Sequence, residues 1–416
     1  MNSTSRFARP AVSRTASSAL IAAVLLTASS LFSPFASRDV SSCASSFFPP
    51  FAASIVSAAD DVPEKLRTVA ERSNFAATSR HAEVEALGRA LAESSPLVRY
   101  LEFGETVEGR KLPLLVVAEP PVASPDEAAK TDKAVVLVFA NIHGGEVDGK
   151  EGVLMFVRDL VRAAERPLLK DVVLLVVPNL NADGNERFAL DNRPEQDGPA
   201  QGMGVRENAQ GLDLNRDYIK LETPEIRALV RLVQQWNPPL VLDCHTTNGS
   251  WHRHTMTYDV NRHPGSDPRL IKLAQQQLVP HVDRRLEELG GWKGFYYGNF
   301  SREHTVWETF PLQPRLGTHY FALRQRVAVL AESYSHASYK DRCLASRDMV
   351  RAVVEFAASH KKPLRETVEA ASRDAAVDSS ARRSNDGAKE KEKEPAQHRQ
   401  VPLRVAPAAR DGVSDA

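Results

Sequence analysis

Residues 134–140 read AVVLVFA and residues 171–177 read DVVLLVV. Apolar runs this short and uninterrupted suit strands buried on both faces. Residues 240–243 (LVLD) and 325–331 (QRVAVLA) read the same way. Between these runs the apolar positions recur at helical spacing. Helices are expected over 152–162 (GVLMFVRDLVR), 222–236, 268–289 and 339–359, with two amphipathic helices, 62–72 and 81–93, leading in. Thr223-Pro224 places proline at the start of one of them, where its missing N–H costs nothing. Residues 98–104 and 112–117, joined by a turn containing Gly109, read as a hairpin. Strands alternating with helices predict an α/β fold, a three-layer α/β/α sandwich with a mixed, mainly parallel central sheet. Two stretches lack periodicity, 185–220 and the residues from Cys244 to about Ser266. A loop of that length inside a compact domain is usually functional or disordered, and the Arg, Asn, Asp and Gly content of 185–220 favours function there.

The ends of the chain fall outside this pattern. Arg6, Arg9 and Arg14 precede an apolar run at 19–32, the order of a secretory signal, and Ser57-Ala58-Ala59 supplies small residues for cleavage. Residues 1–59 are therefore expected to export the protein to the periplasm or beyond, with Cys43 as a lipoprotein-type alternative. The apolar run is short and interrupted for a span, so no stable membrane span is expected in the mature protein. From residue 362 the composition turns to Ala, Arg, Ser, Glu and Lys, which predicts a disordered charged tail over 362–416. One catalytic domain, 62–361, remains. Lys and Arg together number 53, as do Asp and Glu. That balance provides no phosphate-tracking surface and argues against nucleic acid as a partner. Three cysteines, Cys43, Cys244 and Cys343, are too few for a disulfide framework.

The candidate chemistry sits where the strands end. His143 and Glu146 follow the 134–140 strand in Asn-Ile-His-Gly-Gly-Glu, three apart at a strand-to-helix turn. About one such His-x-x-Glu pair is expected by chance in a chain of this composition. Asn181, His245 and Glu332, however, also lie at the C-terminal ends of predicted strands, the edge at which open α/β sheets bind ligands. His143, Glu146 and His245 supply two imidazoles and a carboxylate, a donor set for one Zn2+ per chain with a position left open. Glu332 is the remaining acid, placed to take a proton from water and give it to a leaving amine. Asp213-Leu214-Asn215-Arg216 sets an Asn beside an Arg, with Arg206 upstream. One guanidinium is suited to a substrate carboxylate and another to an oxyanion.

In this order the residues resemble the zinc carboxypeptidases of the carboxypeptidase A type. Gly104-Glu105-Thr106-Val107-Glu108-Gly109-Arg110 is similar to the family's early G-x-S/T-x-E-G-R turn, and His143-x-x-Glu146 to its first two zinc ligands. Asn181-Ala182-Asp183-Gly184 resembles its N-P-D-G turn with Ala for Pro, and Asp213–Arg216 its D-x-N-R segment. The resemblance implies that Asn215 and Arg216 bind the terminal carboxylate of a peptide, that His245 is the third ligand and that Glu332 is the general acid/base. It also implies that Arg206, ten residues before Arg216, steadies the oxyanion, with Arg193 as competitor. Spacing places the family's substrate-capping tyrosine at Phe310; Tyr320 and Tyr297 are the nearest tyrosines, and Tyr320 is taken for the role. The gap from Glu146 to His245 is nearer that of the related deacylases.

The leading expectation is a metallocarboxypeptidase acting on a peptide or a cell-wall peptide. A zinc-dependent deacylase of N-acyl amino acids, of the aspartoacylase or succinylglutamate desuccinylase kind, is the alternative. A catalytically dead binding module on the same fold is the third.

Overall fold

The computed structural model describes residues 62–162, 166–303 and 305–385. The expected export segment (1–59) and the end of the expected tail (386–416) lie outside the described residues.

Alternate residues of the apolar strands face two different cores. In β3 (Ala134–Ala140), Val136 and Val138 join one cluster, Val135, Leu137 and Phe139 the other. β4 (Val172–Val177) divides the same way, so strands with no polar alternation must lie at the middle of a sheet covered on both faces. The sheet has eight strands in the order β1-β2-β4-β3-β5-β10-β6-β7. These are β1 (Val98–Glu105), β2 (Lys111–Val117), β5 (Leu240–Thr246), β6 (Met256–Val260), β7 (Gly294–Tyr296) and β10 (Val327–Ser333) with the two already given. A separate two-stranded ribbon joins β8 (Gly298–Phe300) to β9 (Trp307–Thr309). β4, β3, β5 and β10 pair in parallel, as do β6 and β7, while β1–β2, β2–β4 and β10–β6 are antiparallel. The sheet is thus mixed and mainly parallel, as expected.

The helix Pro224–Trp236 covers one face with Ile226, Leu229, Val233 and Trp236. The helices Asp148–Arg162 and Tyr339–Ser359 cover the other. These two pack closely because Gly152 has no side chain: a Cβ there would stand 2.8 Å from the backbone of Cys343 and Arg347. No helix among the described residues is long and apolar enough to cross a membrane.

Two expectations are corrected. The stretch from Cys244 to Ser266 is not irregular throughout: β6 lies within it and pairs with β10. Its sequence, Met-Thr-Tyr-Asp-Val, hides the strand because Thr257 and Asp259 are buried polar residues, Asp259 held by Arg262 at 2.6 Å. The expected tail also begins too early. Residues Lys361–Asn385 form a helix whose Leu364, Val368 and Ala371, spaced at four and three, are buried in the first core. Lys361 fastens its start to Asp132 and Asp171, each at 2.8 Å. Three apolar residues in a charged sequence are enough for a stripe that only the neighbouring surface makes visible.

Candidate metal centre

The two-residue period of β5 decides which side chains reach the site. Leu240, Leu242 and Cys244 point into the first core, so Asp243 and His245 share the opposite face. β10 is in parallel register with it, placing Glu332 beside His245. β3 ends at Ala140, and the next residue, Asn141, adopts φ 60°, a left-handed turn that asparagine tolerates. Its Nδ2 donates to Asn179 (2.7 Å) and Asn185 (3.1 Å), and the turn delivers His143 and Glu146.

His143, Glu146 and His245 are all buried and present ligand atoms within 4.8 Å of one another. Nδ1 of His143 is 3.0 Å from Glu146 Oε1, Nδ1 of His245 is 2.9 Å from Oε2, and the two Nδ1 atoms are 3.2 Å apart. Donors at zinc–ligand distances in a tetrahedral shell stand about 3.3 Å apart, so the three residues fit a zinc ion. The chemistry agrees. Two imidazole nitrogens turned toward each other and toward one carboxylate make an arrangement that a cation resolves. On the far side of each ring stands another carboxylate: Asp213 Oδ1 is 3.1 Å from His143 Nε2, and Asp243 Oδ2 is 2.8 Å from His245 Nε2. Such outer carboxylates fix the tautomer that leaves Nδ1 for the metal. Sequence reading passed over both. Asp243 had a signal, the Asp-x-His alternation that puts both residues on one face of a strand.

Electrostatics follow from this packing. Burial raises the pKa of Glu146, but His143, Arg193 and His245 outweigh it and hold the carboxyl well below its usual range. Burial lowers that of His245, and Asp243 and Glu146 reverse the effect, raising it well above normal. Glu332 is pushed up to about 8, mainly by burial, with Glu146 and Asp243 adding to the rise against His245. Its Oε2 is buried without a hydrogen-bond partner among the described residues. Glu332 lines the same cleft as His143 and Glu146.

The cleft holds about 610 Å³. Arg206, Asn215 and Arg216 line it, as expected, and so does Arg193. Arg206 Nε donates to Asp213 at 2.9 Å, and its Nη1 is 3.3 Å from His143 Nδ1. Arg193 Nη1 is 3.2 Å from Glu146 Oε1. It comes this close because Gly145 has no side chain: a Cβ there would meet Arg193 Cδ at 2.7 Å. Asn215 Oδ1 accepts Gly317 N at 2.9 Å, while Arg216 Nη1 donates to the Asn215 carbonyl at 2.9 Å. Asn181 stands behind the site. Its Nδ2 donates to the carbonyls of Ile142 (3.2 Å) and Arg206 (3.1 Å), bracing the segments that carry His143 and Arg206. The early turn braces the same region, since Thr106, Glu108 N and Arg110 all bond Asp183.

Tyr320 is a correction. It belongs to the helix Gly317–Leu323 and packs on Tyr218 and Phe321, at ring separations of 5.3 and 5.4 Å, away from the cleft lining. Tyr297 lines the cleft instead, against Phe310 at 5.4 Å, and Phe310 lines it too. Burial, then the carboxylates of Glu332 and Glu146, raise the pKa of the Tyr297 hydroxyl well above normal, so it stays protonated. Spacing from Glu332 could not choose between the tyrosines, because the 317–323 helix that turns Tyr320 inward was not predicted.

Residues 84–307 match a protein-family model described as zinc carboxypeptidase. The chain is 34% identical over 149 residues to carboxypeptidase E of Caenorhabditis elegans, an alignment covering 34% of this chain and 30% of that one. It is 30% identical over 176 residues to carboxypeptidase D of Mus musculus (36% and 13% covered). With the carboxypeptidase N catalytic chain of Homo sapiens it shares 27% over 205 residues (40% and 43% covered). The alignments thus span less than half the length of these relatives. Among solved structures, carboxypeptidase A from Helicoverpa armigera superposes with a TM-score of 0.50 at 16% identity, over 68% of this chain and 75% of that one, a likeness of fold.

Proposed function

The chain belongs to the zinc carboxypeptidase family, and from that premise we propose that it removes the C-terminal residue of a peptide by zinc-dependent hydrolysis. One observation carries the reading. The His143–Glu146–His245 donors converge at a cleft that His143, Glu146, Glu332, Asn215 and Arg216 line together, and Glu332 Oε2 has no hydrogen-bond partner among the described residues.

His143, Glu146 and His245 would hold one Zn2+ per chain. When bound, zinc supplies Lewis-acid polarisation of a carbonyl and makes water a stronger nucleophile at neutral pH. Arg216 and Asn215 anchor the free carboxylate of the substrate, which sets the terminal peptide bond, and no other, before the donors. Glu332 takes a proton from the attacking water on Oε2 and returns it to the leaving nitrogen. Burial, with Glu146 and Asp243 nearby, keeps its proton affinity close to what that exchange needs. Arg206 offers N–H groups to the developing oxyanion. Tyr297, protonated and facing the cleft, takes the capping place first assigned to Tyr320. Export by residues 1–59 is part of the proposal, with peptides outside the cytoplasm, cell-wall peptides among them, as substrates.

The test is zinc content together with hydrolysis of a mixed peptide library, for wild type, His245→Ala and Glu332→Gln. We expect about one zinc per chain, lost in His245→Ala, and release of free C-terminal amino acids that Glu332→Gln abolishes without losing zinc. Zinc binding with cleavage of N-acyl amino acids but no trimmed peptide would overturn the peptidase in favour of the deacylase. A wild type that binds no zinc would overturn both.

A further inference from the structure

Asp148 and Arg342 are charged, wholly buried and unused by the proposed reaction. Asp148 opens the helix Asp148–Arg162, two residues after Glu146. Its carboxylate accepts Thr246 Oγ1 at 2.9 Å on each oxygen and also accepts Ser333 Oγ. Ser333 Oγ in turn lies 3.2 Å from the His245 carbonyl. Thr246 directly follows His245, and Ser333 directly follows Glu332. The Thr246 backbone N–H donates to Glu146 Oε2 at 3.1 Å. One carboxylate therefore ties together three elements: the helix start bearing Glu146, the end of β5 bearing His245 and the end of β10 bearing Glu332.

Arg342 supplies the countercharge, with Nε 3.4 Å from Asp148 Oδ1. Its other nitrogens donate to loop carbonyls: Nη1 to Asp197 (2.7 Å), Ser335 (3.1 Å) and Ala337 (2.6 Å), Nη2 to Gly198 (2.9 Å). The loop it grips at Asp197 and Gly198 carries Gln196, which fixes Arg193 Nε at 2.8 Å. Arg193 reaches Glu146 from there. A buried charge pair costs desolvation that an apolar pair would not, so its retention is explained where it fixes geometry.

Resting on the metal-site reading, we propose that Asp148 and Arg342 are positioning residues. Asp148 sets the spacing of the two strand ends that carry the third ligand and the acid, and Arg342 sets the loop that presents Arg193. Neither touches substrate. Outer-sphere residues that orient ligands typically change metal affinity or activity 10–100-fold when altered.

Removing Asp148 itself endangers folding, so the hydroxyls it grips are the sharper probe. Thr246→Val and Ser333→Ala preserve shape and delete one arm each, and Thr246→Ser keeps the hydroxyl as the conservative control. Zinc affinity by chelator competition, kcat and KM would be measured on all of them, beside Asp148→Asn and Arg342→Met. Hydrogen exchange at the Thr246 and Ser333 amides would be followed on metal-free protein. We expect Thr246→Val and Ser333→Ala to weaken zinc about tenfold, to lower kcat with KM little changed, and to speed amide exchange, with Thr246→Ser close to wild type. The two changes should cost less in the Asp148→Asn background, where the amide leaves only one accepting oxygen for the two hydroxyls. Arg342→Met, which loosens the loop holding Arg193 against the ligand Glu146, should weaken zinc about tenfold as well. Wild-type zinc affinity and exchange in both hydroxyl variants would overturn the proposal. A wild type that binds no zinc would instead strike the metal reading, and exchange on the metal-free protein would still report whether Asp148 clamps the strands.

Discussion

Asp243→Asn tests the electrostatic account of the metal centre most directly. Asp243 is buried, and its Oδ2 lies 2.8 Å from His245 Nε2, on the side of the ring away from Glu146. Asparagine has the same shape and can still offer an oxygen to that nitrogen, but no charge. The carboxylate acts on the ring by its charge at short range, and outer carboxylates behind a metal-binding imidazole typically change metal affinity by 10–100-fold, about 1.4–2.7 kcal/mol. The loss should fall on the metal-bound state, where the ring donates electron density. Zinc should therefore bind about 10–100-fold more weakly. The effect should also depend on pH, with a definite sign. In wild type Asp243 and Glu146 raise the His245 pKa above normal, so in the metal-free protein a proton competes with zinc at neutral pH. Asparagine lowers that pKa and removes part of the competition. The deficit of the variant should therefore be small near pH 6 and grow toward its full value as the pH rises and wild-type His245 gives up its proton. Chelator-competition titrations from pH 6 to 9, with circular dichroism to confirm folding, measure both effects. A folded variant whose zinc affinity stays within threefold of wild type at the alkaline end, or whose deficit shrinks as pH rises, would refute the reasoning.

Arg216→Met should raise KM roughly 30–100-fold for peptides with a free C-terminus, the loss of a paired guanidinium–carboxylate contact. Paired assays on free and amidated peptides check it; a wild type that treats the two alike would remove Arg216 from the anchoring role. Leu364 is fully buried in the helix beyond residue 361, so Leu364→Ala should cost about 2–5 kcal/mol and lower Tm by about 4–10 °C. The exposed neighbour Glu366→Ala should leave Tm almost unchanged, and equal, small effects in thermal melts would mean that the helix does not belong to the folded domain. Glu332 has a pKa of about 8 in the folded, metal-free protein and an ordinary carboxyl pKa once unfolded. The folded state therefore binds more protons between about pH 4.5 and 8, and its stability should fall across that window by at most roughly 5 kcal/mol. Urea midpoints should fall more steeply with pH in metal-free wild type than in Glu332→Gln, where the raised His245 still contributes a slope; parallel curves would place the Glu332 pKa at an ordinary value.

Much of the fold is written in local pattern. The runs at 134–140 and 172–177 suit buried central strands, because no polar residue lets either face meet water. Once strands and helices alternate, the position of His143, His245 and Glu332 at strand ends follows from period and order alone. So does the clustering of His143, Glu146 and His245, since parallel neighbours bring their C-terminal ends to one edge. What the tertiary structure decided were the relations that depend on partners far away in the chain. The role of Asp213 behind the His143 imidazole exists only because a loop brings it there from 70 residues away, whereas Asp243 stands two residues before His245 on the same strand face. Tyr297 rather than Tyr320 faces the cleft because a seven-residue helix turns Tyr320 onto Tyr218, a packing choice outside the reach of spacing. The strand Met256–Val260 and the helix Lys361–Asn385 were hidden for opposite reasons. The strand carries buried polar residues, Thr257 bonded to the distant Glu332 carbonyl and Asp259 paired with Arg262 just beyond the strand, and the helix carries an apolar stripe too thin to stand out from its charges. In both, the free energy that fixes the element comes from the surface it packs against, and that surface is assembled only when the chain folds.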